Sequence, residues 1–275
     1  MIWAKGDNAF LLKEEGVQCE NPSAPDDERV YTKRFENKQI YLPHEWERAR
    51  QEVLAGDKQI ILGGTGYSEI RPDKCRAWGV TEEGYVAACE DIFAHVVSEL
   101  REQFDGIEVK NANGASDKGI DRAQLRVNET LGIKGLGFNC PNWMFFVKDG
   151  DGLPVFVAAN KLEYGDKFVR SLDVLISAGG RMQALENDIL AAIKYNKRLL
   201  LLNVLKAISP HGGPPARDGE GNIEDATAAF ESAIMQVSVV NGYDALRKQA
   251  AESVREVARF ILPSEAAYSA WKRGV

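Results

Sequence analysis

Histidine and cysteine are scarce in this chain: three histidines (His44, His95, His211) and four cysteines (Cys19, Cys75, Cys89, Cys140) in 275 residues. No two cysteines form a CxxC, and no histidine stands at zinc spacing from them. Neither a zinc module nor a disulfide framework is expected, and scattered cysteines in a chain of this length read as reduced thiols of a cytoplasmic protein. No metal and no resident cofactor is expected. Long apolar runs are missing as well. The most apolar stretch, residues 199–204, is far short of the roughly 20 residues a membrane span needs. Residues 1–16 lack the apolar core and small-residue cleavage site of a signal peptide. No membrane partner is expected. Basic residues do not predominate either: 34 Lys+Arg stand against 41 Asp+Glu, a formal net charge of -7. Nucleic acid is therefore not expected as a partner, because phosphate-backbone binding needs clustered Lys and Arg. One small anion in a local pocket stays compatible with this balance.

What is present is ordinary globular composition, 44% hydrophobic and 27% charged, enough for one large core with extensions. Residues 1–56 are polar and punctuated by Asn21-Pro22-Ser23 and Ala24-Pro25-Asp26-Asp27. They read as an N-terminal extension packed on the core, with one hairpin and a short helix after Pro43. From residue 57 to 206 the pattern alternates. Apolar runs at 59–62, 107–110, 133–138, 154–158, 173–177 and 198–203 predict strands buried on both faces. Helices are expected from Thr81, an N-cap followed by two glutamates, and over 120–129, 161–171 and 182–195. The turn after the first strand is expected at Arg71-Pro72-Asp73. In the last helix, Leu185, Ile189, Ala192 and Ile193 mark the buried face. Residues 207–275 form a loop, 209–222, and two amphipathic helices. The first carries Ala226, Phe230, Ile234 and Val237; the second runs from Tyr243 to Ile261. They suit packing on the core or dimerisation. The fold class expected is α/β, a Rossmann-like, mainly parallel sheet with helices on both faces.

In such sheets ligands bind at the C-terminal ends of strands, and three strands here end in glycine-rich loops. Gly63-Gly64-Thr65-Gly66 contains a GxG, but the third glycine of a dinucleotide fingerprint would fall on Glu69, and no Gly-Lys-Ser/Thr follows; a dehydrogenase fingerprint and a P-loop are both disfavoured. Residues 113–121 carry Gly114, Ser116, Lys118 and Gly119 before a helix, which suits a phosphate; the same residues also suit a plain strand-to-helix turn with Asp117 as N-cap. Gly179-Gly180-Arg181 precedes a helix in the same way. Glu186, one turn in, is either a sugar-binding or acid–base carboxylate or a glutamate that complements the helix dipole. The aromatic stretch 138–146 either walls a base pocket or belongs to the core. Cys140 makes a poor nucleophile, with no histidine nearby in sequence. Asp117, Asp121 and Glu186 show no spacing that requires a cation.

Together these segments resemble the SLOG superfamily, which includes the LOG ("lysine decarboxylase-like") proteins, the DprA/Smf fold and molybdenum-cofactor carrier proteins. The resemblance covers roughly residues 58–205. Residues 114–121, GASDKGID, are similar to the GxAxGID loop of the DprA branch. Residues 177–186 are similar to the PGGxGTxxE motif of the LOG branch, with Gly179, Gly180 and Glu186 on its glycines and glutamate. Ala178 stands in place of its proline, Met182 of its third glycine and Gln183 of its threonine. The LOG arginine has no clean match; Tyr164 stands at that spacing, with Lys167 and Arg170 nearby.

The resemblance implies a nucleotide ligand, a homodimer, and phosphate contacts from the 114–119 loop and Gly179-Gly180; Gly63, Gly64 and Thr65 of the first glycine loop are expected at the same phosphate or ligand site. It further implies hydrolysis of the N-glycosidic bond of a nucleoside monophosphate, with Glu186 on the ribose, Arg170 or Arg181 on the phosphate, and water as nucleophile. The missing Gly-Thr pair and arginine point instead to a non-catalytic carrier or sensor of a nucleotide or pterin cofactor. A sheet scaffold acting through protein partners is the third reading.

Overall fold

The computed structural model describes residues 1–234; the side chain of Ile193 and those of residues 231–234 lie outside that description. The expected second C-terminal helix and Val237 also lie outside it.

Among the described residues, ten strands form two sheets. The larger has seven strands, all parallel, in the order β10-β9-β5-β6-β7-β8-β4. They are β4 (Ile40–Tyr41), β5 (Gln59–Thr65), β6 (Glu108–Asn113), β7 (Gly135–Asn139), β8 (Val155–Val157), β9 (Val174–Ser177) and β10 (Arg198–Leu201). The chain first supplies the edge strand β4, then enters near the centre with β5, builds outward through β6, β7 and β8 until β8 meets β4, and crosses back to place β9 and β10 on the other side of β5. The switch in strand order therefore falls between β5 and β9.

Alternation along β5 explains the layers. Ile60 and Leu62 face one core, with Phe93, Val96 and Leu100 of α3 (Glu82–Gln103) and Val127 of α4 (Gly119–Leu131). Ile61 faces the other, with Phe138, Phe156, and Phe168 and Val169 of α5 (Lys161–Ser171). A strand covered on both faces has no polar side to show, which is why these segments read as continuous apolar runs. Thr81 caps α3 as expected, its hydroxyl accepting from the Gly84 N–H at 3.0 Å.

Several elements differ from expectation. The three-stranded antiparallel sheet β1 (Ile2–Lys5), β3 (Val30–Lys33) and β2 (Val17–Cys19) was not legible as more than one hairpin. Its strands are only three or four residues long; β1 and β2 bury no residue fully, and β3 buries Tyr31, Thr32 and Lys33, two of them polar, so no apolar run marks it. β4, within the first 56 residues, pairs with β8 and closes the edge of the main sheet. The helix after Pro43 comprises α1 (Trp46–Ala49), continued as a π-turn through Arg50–Leu54. The turn at Arg71-Pro72-Asp73 is the start of α2 (Pro72–Trp78), with proline at the first helical position, where its missing N–H costs nothing. A short α7 (Val204–Ile208) follows β10, and α8 (Ala226–Ile234) begins the C-terminal part. Gly63, Gly64 and Thr65 lie inside β5 and not in the loop after it. All four cysteines are free. Among the described residues, no helix is long and apolar enough to cross a membrane.

Candidate functional site

A cavity of about 310 Å³ opens at the C-terminal ends of β5, β6 and β7. Its floor is Gly64 and Thr65 of β5 with Gly66 just after it, Gly114 and Ser116 after β6, and Phe138 and Asn139 of β7. Trp143, Phe146 and Tyr164 supply flat walls, and residues 183, 184, 187 and 188 close the side toward β9. Gly64 lets α3 and α4 pack closely on β5: a Cβ there would stand 2.6 Å from the Phe93 ring and 2.7 Å from Gln124 Oε1. The aromatic walls brace one another. Trp143 meets Tyr164 edge-on at 5.4 Å, and Tyr164 stacks on Phe168 at 6.0 Å with the rings 7° from parallel.

The loop after β6 folds around Asp121. Its Oδ1 accepts from the Gly114 N–H at 2.8 Å, its Oδ2 from the Ser116 hydroxyl at 2.7 Å, and the Ser116 N–H donates to it as well. Burial raises the Asp121 pKa above the ordinary carboxylate value, and these donors work against the rise. Ala115 is held at φ 58° between them, a left-handed conformation uncommon for a residue with a side chain. Gly119 opens α4 at φ +45°, and a Cβ there would lie 1.8 Å from the Tyr67 carbonyl oxygen, so glycine is required. The N-cap of α4 is Lys118, without a side-chain cap; Asp117 instead accepts from Arg122. The glycine-rich segment is thus a βα turn closed by its own carboxylate. The N–H groups of Gly114 and Ser116 are committed to Asp121 and not free for a phosphate.

Lys118 reaches the cavity rim. Its Nζ is 2.7 Å from Glu14 of the N-terminal segment and 4.5 Å from the centroid of Phe146. The small sheet is anchored beside it: buried Lys33 donates to the carbonyls of Phe145 and Val147, both at 2.8 Å.

The chain between β9 and α6 (Leu190–Lys194) winds as a π-turn over Ala184–Ile189. Asp188 points from it to the cavity. Its Oδ2 accepts from the Thr65 hydroxyl at 2.6 Å, while Oδ1 is buried without a hydrogen-bond partner. Burial pushes the Asp188 pKa up to about 7, opposed by the Thr65 hydroxyl and helped by the negative charge of Asp121. Tyr164 is likewise raised well above its ordinary value, first by burial and then by Asp188 and Asp121.

Of the sequence-predicted residues, the structure brings Gly64, Thr65, Gly114, Ser116 and Lys118 together on this cavity. The others lie off its described lining. Gly63 faces Leu172 under α5. Gly119 serves the start of α4. Glu186 and Arg181 are exposed. Arg170 is in the last turn of α5, on Asp166 at 3.0 Å and over the Tyr195 ring at 4.3 Å. Since α5 runs antiparallel to the strands, that turn lies toward their N-terminal edge, about 9 Å along the helix from Tyr164 at a rise of 1.5 Å per residue. Gly179 and Gly180, at φ +101° and +99°, are covered by the chain itself. The Gly179 N–H donates to Thr227 Oγ1 at 3.1 Å, and the Gly180 carbonyl accepts from the Ala226 N–H at 2.7 Å.

Sequence reasoning missed Asp188. It followed the apolar positions and a motif glutamate to Glu186. The available signal was an aspartate, a poor helix former, four residues after Ala184 and directly before Ile189, which are both buried. It also missed Tyr67 and Asp225, buried beside Gly179 and joined at 2.8 Å.

No protein-family model and no curated protein sequence matches this chain. Among solved structures it is similar to the molybdenum cofactor carrier protein from Chlamydomonas reinhardtii, at 15% identity and TM-score 0.48, over 73% of this chain and 98% of that one. The molybdenum cofactor binding protein from Rippkaea orientalis aligns at 14% identity and TM-score 0.45, over 74% of this chain and 98% of that one. A trehalose-phosphate synthase from Burkholderia vietnamiensis aligns at TM-score 0.29 and 15% identity, over 86% of this chain and 45% of its own. At these values the likenesses say nothing of this chain's ligand.

Proposed function

We propose that the chain binds a flat heterocyclic ligand of the nucleotide or pterin class in the cavity at the strand ends, and that it acts as a carrier or sensor without turning the ligand over. The observation that carries this reading is the composition of the cavity wall: three aromatic side chains, Trp143, Phe146 and Tyr164, line it together with strand-end polar groups. A volume of about 310 Å³ is at the small end of the range for small-molecule sites and suits a fused two-ring system. Against turnover stands the chemistry of the floor. Asp121 is held by three hydrogen bonds from its own loop, and the two residues assigned to hydrolysis, Glu186 and Arg170, are off the described lining.

One observation favours the second reading, hydrolysis of an N-glycosidic bond. Asp188, raised to about 7, has the proton affinity of a general acid near neutrality. The two readings separate in one experiment: incubate the protein with nucleoside monophosphates and with pterin, record thermal shifts, and look for free base by chromatography. A shift without base release is expected. Base released by the wild type and lost in Asp188→Asn overturns the carrier reading; no shift with any of these ligands removes the nucleotide and pterin classes.

A further inference from the structure

The polar atoms around the cavity are nearly all paired within the protein. Thr65 donates to Asp188, Ser116 to Asp121, and Asn139 donates to the Gly114 carbonyl and accepts from the Cys140 N–H. Among the described residues that line the cavity, Asp188 Oδ1 is the one buried polar side-chain atom without a hydrogen-bond partner. A native interior leaves few such atoms, and each calls for an explanation. Oδ1 is an acceptor when the carboxyl is ionised, so it calls for a donor. Oδ2 receives one hydroxyl and keeps a second lone pair. One residue earlier on the same turn, Asn187 lines the cavity, as does Gln183. Their carboxamide N–H groups are donors that match a ring carbonyl.

We infer that Asp188 reads the edge of a 2-amino-4-oxopyrimidine ring, the edge common to guanine and pterin. The ring N–H and the 2-amino group would face the carboxylate, and the 4-oxo group the carboxamide of Asn187 or Gln183. The inference rests on the cavity being a ring-binding site and names the ring. Because Oδ1 is closed off before the ligand enters, the carboxylate turns about its Cβ–Cγ bond, keeping one oxygen on Thr65. Adenine presents a ring acceptor beside its amine and opposes an ionised carboxylate at that position.

The test measures dissociation constants by calorimetry for two matched pairs. Guanosine 5′-monophosphate against inosine 5′-monophosphate differs by the 2-amino group. Pterin against lumazine replaces that amine with a carbonyl. The amino-bearing member of at least one pair is expected to bind about tenfold tighter or more, the discrimination a two-point hydrogen-bonded edge gives. The preferred pair tells a nucleotide source from a pteridine. In Asp188→Asn, which keeps the side-chain volume and the Thr65 contact, that preference collapses to within about threefold. Equal binding within both pairs, or an unchanged preference in the variant, overturns the inference and leaves a ring-binding site of other specificity. Tighter binding of adenosine 5′-monophosphate than of the guanine nucleotide also overturns it. Binding of none of these ligands overturns the inference together with the reading beneath it. The discrimination in the wild type needs no variant, so a poorly folding Asp188→Asn does not shield the inference.

Discussion

Asp188 and Asp121 are carboxyls on one cavity, but their hydrogen-bond supply differs. Asp121 has donors on both oxygens; Asp188 has Thr65 on one oxygen and nothing on the other. The consequence is a dependence of stability on pH. A folded-state pKa of about 7, against an ordinary 3.8, means that the folded chain holds the proton more tightly than the unfolded one. The contribution of Asp188 to stability is then greatest below the ordinary value, falls as pH rises between the two values, and levels off above about 7. Asn at this position has no proton to lose. The Tm of Asp188→Asn minus that of the wild type is therefore expected to grow from pH 4 to pH 7 and stay constant above. At its plateau the difference corresponds to about 1–3 kcal/mol, the cost of one buried, unpaired polar group. Taking the difference removes what the two proteins share, Glu69 and Lys118 on the rim and Asp225, itself raised to about 6 by burial, while Asp121 on α4 and Tyr164 on α5, which interact with the Asp188 charge, contribute to the difference through it. A flat difference across that range counts against a burdened Asp188.

At the scale of elements, most of the parallel sheet was legible because strands such as β5, β8, β9 and β10 carry apolar runs and the helices between them carry an apolar stripe; β6, with Lys110, Asn111 and Asn113 buried, departs from that pattern, and the two-residue β4 was too short to show one. The 161–171 helix agrees with its predicted bounds, and Asn160 caps it with a side chain that accepts from the Glu163 N–H. What sequence left hidden depends on contacts between distant segments. Nothing in Gly179-Gly180 announces that Thr227, 48 residues later in the chain, takes the Gly179 N–H, or that Tyr67 reaches Asp225 across 158 positions. The site was half legible for the same reason. Glycine at strand ends found Gly64 and Gly114, but no periodicity tells which face a π-turn presents, so Glu186 was chosen two residues short of Asp188. The segment leading into α8 lends itself to a test. The Tyr67 hydroxyl lies 2.7 Å from the Glu224 carbonyl and 2.8 Å from Asp225 Oδ2, and Asp225 caps α8 through the Ala228 N–H at 2.8 Å. Tyr67→Phe removes the hydroxyl and keeps the ring between Trp78 and Tyr85. It is expected to cost about 1–3 kcal/mol in urea unfolding, and to speed amide exchange at Ala228 and Ala229 before it does so in β5. Exchange that rises equally across the chain points to a general loss of packing instead.

Taken as a whole, the molecule braces two cavity-lining residues, Phe146 and Lys118, with its N-terminal segment. The small sheet is fastened at Lys33, whose ammonium serves the two carbonyls of the 145–147 turn, and that turn carries Phe146 on the cavity wall. From the same module Glu14 meets Lys118 at 2.7 Å, with side chains only 12% and 23% exposed. Lys118 is the only lysine or arginine among the described residues lining the cavity, so an anionic group on a ligand has to compete with Glu14 for it. Glu14→Gln keeps the size and a hydrogen-bonding oxygen but removes the competing charge. The variant is expected to bind a phosphorylated ligand about three- to tenfold more tightly than the wild type, on the scale of a partly buried ion pair of about 1 kcal/mol. The gain should shrink as salt is raised from 50 to 500 mM, because charges at the rim are screened. For the matching ligand without phosphate the affinity should hardly change. That contrast is the decisive measurement. An equal gain for both ligands would mean that Glu14 acts by holding the N-terminal segment in place, and a loss for the phosphorylated one would mean that Glu14 positions Lys118 for the phosphate and does not compete with it.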